Sequence, residues 1–316
     1  MFGLGLVLAH AGASMAATPG LDSRGNIGPY LDGSMPTTDT GNLPATLSQT
    51  AAFSNTPAMT PHAGLVPYTI NSMLWSDGSA KQRWLALPYD SGSASNPKID
   101  NHPTGIWKFP NGTAIVKHFG MVVNEQTQET RRLETRILIR DANGGVYGRS
   151  YRWRSDNSDA DIVNTNGGEL DTITITGPDG TTTRTQEWRY PGPNQCLQCH
   201  MASTNDPNGP DMALGLKTRQ LNTDYAYPAP GRTDNQLHTM LHLDMLANTI
   251  PDQTSYPQFE KLAPLSDATA TYEHRIRSYV DANCAFCHQP GGPGPRWDAR
   301  YTTPYTQQNI AGDAVT

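Results

Sequence analysis

All four cysteines of the chain fall in two Cys-x-x-Cys-His motifs. The first reads Cys196-Leu197-Gln198-Cys199-His200, the second Cys284-Ala285-Phe286-Cys287-His288. Two intervening residues let both thiols reach the vinyl groups along one edge of a porphyrin. The adjacent histidine then falls beneath the iron. The pattern predicts two c-type haems, bound through thioethers at Cys196, Cys199, Cys284 and Cys287, with His200 and His288 as proximal iron ligands. Three other uses of paired cysteines fit less well. A zinc ribbon sets its halves about 15–20 residues apart, whereas 84 residues separate Cys199 from Cys284, and zinc needs no histidine directly after each pair. A thioredoxin-like pair requires a βαβ setting that neither motif has. Two disulfides are the remaining alternative for an exported chain.

Each iron takes a sixth ligand or keeps an open face, and that choice separates electron transfer from chemistry on a bound molecule. For the first haem the candidate distal ligands are Met212, His238, Met240, His242 and Met245, with His118 and Met121 from the preceding β region. His238 and His242 share a helical face, as do Leu241 and Met245. The ordinary alternatives are core packing for the methionines and polar surface or capping roles for the histidines. No catalytic residue is assigned. Nine Lys or Arg against four Asp or Glu lie between Trp107 and Arg154. Arg131, Arg132, Arg136, Arg140, Arg149, Arg152 and Arg154 would pair with haem propionates, dock an acidic redox partner or form a solvated strand face.

The elements that must position these residues divide the chain in four. Residues 1–17 resemble a signal peptide: an apolar stretch, then Ala13-Ser14-Met15-Ala16-Ala17, though without a basic start. Residues 18–63 are rich in Thr, Pro, Ser, Gly and Asn and read as an extended, wrapping segment. Residues 64–211 read as an antiparallel β domain carrying the first haem motif. Tyr147, Tyr151 and Trp153 alternate with smaller or polar residues at strand period. Ile137 and Ile139 precede them across the turn at 141–145. Ile173 and Ile175 are expected to pair with Trp188 and Tyr190 across residues 177–180, and the turn at 110–112 precedes a strand over 113–119. Residues 212–316 read as a small helical cytochrome c-like domain with the second motif. Leu237, Met240, Leu241 and Met245 recur at helical spacing, and Tyr272, Ile276, Tyr279 and Val280 mark one face of a helix leading into Cys284. The fold class expected is therefore α+β.

Only 28 residues follow His288, rich in Pro and Gly and without Met or His. The expectation is a C-terminally incomplete cytochrome domain, its haem more exposed than the first and lacking a distal methionine unless His238, Met240, His242 or Met245 folds back. The formal charge is −6 and charged residues are 16% of the chain, so composition gives no sign of nucleic-acid binding. Gly and Pro number 29 and 25, a loop-rich composition suited to export. After the first residues no segment is apolar enough to span a membrane. Covalent haem attachment occurs outside the cytoplasm, so a periplasmic or secreted location is expected.

Further residues carry a resemblance. Pro67 to Gly78 (PYTINSMLWSDG), with Lys81 and Arg83-Trp84, resembles a family of uncharacterised exported c-type haem proteins with two such motifs. Phe109 to Thr113, Lys117-His118-Phe119, Asp281-Ala282-Asn283-Cys284, Leu47 to Thr50 and Leu221-Asn222 fit it too, so coverage runs from about residue 43 to the end. The family is largely bacterial and sometimes fused to or neighbouring sugar dehydrogenases, which implies such an enzyme as a redox partner. Its members continue past this end through a Met-Pro-Pro segment and a terminal helix. The β region with the first motif is also similar to the cytochrome P460 and cytochrome c′-β group, which sets one c-haem against an antiparallel sheet with an open or apolar distal face. Some of that group oxidise hydroxylamine and carry a lysine crosslinked to the haem, which Lys117 matches only loosely. The function expected is periplasmic or extracellular electron transfer by a dihaem cytochrome. Its rivals are a haem enzyme with an open first haem acting on a small oxidant or nitrogen compound, and a partner- or polysaccharide-binding β module with attached redox haems.

Overall fold

The computed structural model describes residues 18–200, 212–248, 256, 258–290, 292, 294 and 297–310. The signal-like segment, residues 1–17, lies outside them, as does part of the Pro/Gly-rich path after the second motif. The architecture is α+β, dominated by antiparallel strands with few helices.

An eight-stranded sheet organises the molecule. Its strands are β3 (Val66–Pro67), β4 (Ala80–Ala86), β5 (Ala114–Asn124), β6 (Glu129–Arg140), β7 (Val146–Trp153), β8 (Ala160–Ile162), β9 (Glu169–Thr176) and β10 (Thr183–Tyr190). Two short strands, β1 (Phe53–Asn55) and β2 (Thr60–Pro61), form a separate ribbon before it. The central path runs β10-β9-β5-β6-β7-β8, and β4 lies along β5 with β3 beyond it. Every pairing is antiparallel except one contact, Asn124 with Thr176. The expected β6–β7 hairpin closes through the Asp141 amide donating to the Gly145 carbonyl. The β9–β10 hairpin forms as well, but in another register: Trp188 sits opposite Asp171 and Tyr190 opposite Glu169, so Ile173 and Ile175 face Gln186 and Arg184 instead.

Alternation along the strands gives the sheet two different faces. One face carries Trp84, Ala86, Ala114, Val116, Ile137, Ile139, Tyr147 and Tyr151. The segment 18–63 covers it, burying Ile27, Leu31, Met35, Leu47 and Phe53 there, partly through a left-handed turn at α1 (Pro29–Asp32). The wrapping segment is thus a structural layer: its apolar residues are too widely spaced for a helix or strand period but bury one at a time. The opposite face carries Leu85, Ile115 and Leu138 and packs against residues 212–248 through Met212, Leu216, Leu221, Leu237 and Met240. One core therefore spans the boundary expected near residue 211.

After residue 212 the chain is less helical than its spacing implies. It forms α3 (Thr218–Leu221), a hairpin of β11 (Asp224–Tyr227) and β12 (Arg232–Asn235), then α4 (Gln236–His242). The longer α5 (Tyr272–Asn283) begins at Thr271, whose side chain accepts from the His274 amide, and runs into Cys284 as expected. Its apolar stripe points outward, with Tyr272 79% and Ile276 57% exposed. The buried side of α5 is polar: Ser278 donates to the His274 carbonyl and accepts from the Ala263 amide, and Asp281 pairs with Lys217.

Candidate functional site

The first motif leaves strand β10 through Pro191-Gly192-Pro193 and enters α2 (Pro193–Leu197), with proline at the first helical position, where its missing N–H costs nothing. Gly192 is required there, because a Cβ would lie 2.0 Å from the Thr165 carbonyl oxygen. Helix α2 lies on β7, and Gly148 of that strand makes room for it: a Cβ on Gly148 would meet Cys196 Cβ at 2.9 Å and Sγ at 3.0 Å.

Each motif is one helical turn. The His200 amide donates to the Cys196 carbonyl at 2.9 Å, and His288 to Cys284 at 2.9 Å. Residues three and four apart share a helical face, so both thiols and the histidine of each motif point to one side. None of the four cysteines is paired in a disulfide. Among the described residues no group of three or more His, Cys, Asp or Glu is placed to hold a metal ion.

A cavity of about 200 Å³ opens between the first motif and the sheet. Cys196, Cys199 and His200 line it from one side, Ile115, Leu138 and Gly148 from the sheet, and Leu74, Leu216 and Phe286 complete its apolar walls. His200 faces the Met212 carbonyl through Nδ1 at 2.7 Å. That bond fixes Nδ1 as the protonated nitrogen and leaves Nε2 as the donor, the arrangement an iron-bound imidazole needs. Burial pushes the His200 pKa down to about 4, with the Met212 contact opposing and Lys117 and Arg136 adding to the fall, so the ring is neutral. Two thiols on one helical face and a neutral, oriented imidazole are what a c-type haem attachment needs from the protein, and the cavity beside them mixes apolar walls with Arg83, Lys117 and Arg136.

The second motif has a different setting. A cavity of about 550 Å³ adjoins it, lined by Ala285, Phe286 and Gln289, with Lys108, Lys217, Arg219, Asp281 and Arg300 among its polar groups, but neither its thiols nor His288 line that cavity. His288 stacks on Trp297 with ring centres 4.5 Å apart, and Gly294 packs against the imidazole. Its Nδ1 is buried without a hydrogen-bond partner. The two cavities share Ala213, Leu214, Leu216, Ala282 and Phe286 as common lining. Burial raises the Cys199 thiol pKa, and Cys287, within Coulombic reach, raises it further.

None of the seven candidate distal ligands is among the residues lining either cavity. His118 follows Lys117 in β5 and so faces the other side of the sheet, bonded to Thr135 and edge-on to Trp153. Met121 packs with Phe119, Leu133 and Trp188. Met212 offers its carbonyl to the proximal histidine while its side chain joins the core with Met240 and Met245. His238 pairs with Asp234, and His242 reaches the Asp22 carbonyl. Of the seven arginines read as a group, Arg136 and Arg149 line the first cavity. Arg131 and Arg152 pair with Asp171, Arg154 with Asp161, and Arg132 lies over Trp153.

Sequence reasoning missed the strongest polar feature of the first cavity. Arg83 of β4 sits directly opposite Lys117 of β5, and Lys117 directly opposite Arg136 of β6. All three line the cavity. Arg136 bonds Glu134 at 2.6 Å, and Glu134 also accepts from Trp188 Nε1 at 3.1 Å. Burial, then Arg83, Arg136 and Lys81, hold the Lys117 pKa well below the ordinary lysine value. Only the cross-strand register reveals this row, and register is not written locally in the sequence.

No family model matches the chain, and comparison with curated proteins and with solved structures finds no match either.

Proposed function

We propose that the chain is a dihaem c-type cytochrome that passes single electrons between redox partner proteins outside the cytoplasm. The observation that carries this reading is the closeness of the two motifs: Phe286, set between the second pair of thiols, lines the first motif's cavity, and Cys287 lies within Coulombic reach of Cys199. Cys196, Cys199 and His200 would hold one haem, and Cys284, Cys287 and His288 the other. The bound groups would supply reversible one-electron iron chemistry, with potentials tuned by ligand and burial. The residues supply position: Gly148 admits α2 to the sheet, the Met212 carbonyl orients His200, and α5 presents the second motif. Export, a sugar dehydrogenase as partner and kinship with the two-motif family belong to the same proposal. Among the described residues no helix is long and apolar enough to cross a membrane.

The test is the mass of the intact protein after acid–acetone extraction, followed by a potentiometric titration. The chain should stay heavier than its polypeptide by two haems and show two one-electron waves. Loss of all haem, or retained zinc, sinks the proposal. A second reading, catalysis or small-molecule binding at the first site, is favoured by one observation. The sheet side of that cavity presents Ile115, Lys117 and Leu138 and no Met or His. Carbon monoxide binding to the reduced protein at one haem only would support it.

A further inference from the structure

Three basic side chains stand side by side on a buried sheet face. Arg83, Lys117 and Arg136 occupy one register line across β4, β5 and β6, with strands about 4.8 Å apart. Like charges directly opposite one another destabilise a sheet, and buried charge without a partner is costly. The one carboxylate bonded to the row is Glu134, on Arg136. Among the described residues neither Lys117 nor Arg83 has a carboxylate at ion-pair distance. Arg83 is only 5% exposed, lines the cavity, and leaves Nη2 with no hydrogen-bond partner. Lys117 lies over the Phe119 ring at 4.8 Å. Lys81, on the same strand face two residues from Arg83, adds a fourth basic side chain behind the row. Three basic side chains with one bonded carboxylate between them therefore line a cavity that a ligand can enter.

We propose that the Arg83–Lys117–Arg136 row is an anion seat in the floor of the first cavity, made for a carboxylate or a small inorganic oxyanion. Two sources share that chemistry. One is a free anion entering from solution. The other is a propionate of a haem held at Cys196 and Cys199, since propionates leave the porphyrin edge opposite the thioethers. The inference deepens the haem proposal and rests on it only for the second source.

The experiment uses the full chain as purified, at low ionic strength, titrated with sodium nitrite and separately with sodium formate. Thermal midpoint and Soret absorption are followed for the wild type, Lys117→Met and Arg83→Met. Resonance Raman propionate bending modes are recorded on the same samples, and haem is counted as the pyridine haemochrome. A free-anion seat gives saturable shifts in the wild type that weaken at least tenfold in both variants. A propionate seat gives no saturable shift but moves the propionate modes in Arg83→Met. Saturable binding of equal strength in all three proteins overturns the proposal, as does the absence of both effects. A chain without haem sinks the dihaem reading separately, and the thermal titration alone then decides the seat. Lys117→Met exchanges a buried amine for an apolar side chain of similar length and should fold; if it does not, Arg83→Met carries the same test.

Discussion

The two Cys-x-x-Cys-His turns have the same backbone hydrogen bond and opposite surroundings. The first lies on a strand, with its histidine held by the Met212 carbonyl and its cavity floored by the sheet. The second closes a helix, with its histidine stacked on Trp297, its Nδ1 unpartnered among the described residues, and the charged cavity beside it lined by Phe286 but not by its thiols or histidine. The local motif therefore dictates only where two thiols and an imidazole point. What surrounds them decides how dry the site is and how firmly the imidazole is oriented, and these are the levers that tune a haem. On this comparison the first motif turns its thiols and imidazole into a cavity, and the second does not turn them into the charged cavity beside it.

The largest effect expected is loss of one haem at a time. Cys196→Ser with Cys199→Ser should remove the first haem and leave the second attached, and Cys284→Ser with Cys287→Ser the reverse. Intact mass after extraction reads both. If either pair of substitutions abolishes both attachments, the sites are not independent and the comparison fails at its root.

Next comes Asp281, which ties the second site to the body of the protein. Its carboxylate lies 2.6 Å from Lys217 Nζ and 3.9 Å from Arg219 Nη1, and it accepts from the Tyr301 amide at 3.0 Å. Asp281→Asn leaves two cations without their partner and should cost about 3 kcal/mol. Burial works to raise the Asp281 pKa, but Lys217 and Arg219 prevail and hold it below the ordinary value. A carboxyl depressed in the folded state contributes stability above its unfolded pKa, near ~4. That stability is lost as pH falls through the still lower folded value. Denaturant melts of the wild type should therefore weaken below about pH 4, and those of Asp281→Asn should show a smaller drop. An unchanged acid limb would show that the pair does not hold the second site.

Gly148→Val is the counterpart at the first site. The added Cβ would meet Cys196 Cβ at 2.9 Å, and the sheet cannot yield easily. Overpacking of this kind costs about 1–3 kcal/mol. Attachment at Cys196 should fall while the second haem stays in place, read by haem stoichiometry and mass. Equal loss at both sites would mean that α2 does not depend on β7 as the geometry requires.

The legible and illegible parts of the molecule divide along the same line. Strand period exposed β5, β6, β7, β9 and β10, because Ile137, Ile139, Tyr147 and Tyr151 bury one face under a single layer. Parity alone already sets His118 on the face opposite Lys117. Which face meets the first motif depends on where residues 18–63 pack, and that segment has no period to read. The same holds for the cation row, since Arg83, Lys117 and Arg136 lie far apart in sequence and meet through register. The hairpin of β11 and β12 stood in a stretch whose helical spacing begins only at Leu237. In α5 the apolar stripe named the wrong side: Ser278 and Asp281 are buried because their polar atoms find partners, which hydrophobic periodicity does not count.

The smallest effect tests what replaces the Met212 carbonyl at the second site. His288 has no hydrogen bond through Nδ1 and depends on a stacked indole for its orientation. An aromatic pair of this kind is worth about 0.5–1.5 kcal/mol beyond its area, less than a hydrogen bond made in a buried setting fixes in direction. Trp297→Leu keeps apolar bulk and removes the stack. Global stability should fall by about 1 kcal/mol. The second haem should show a broadened low-temperature α-band, the mark of several imidazole orientations, while the first keeps its band. Splitting the two spectra is possible in the single-haem cysteine variants. If Trp297→Leu leaves the second band unchanged, His288 is oriented by the backbone turn itself, and the two sites differ in polarity but not in how they hold their ligand.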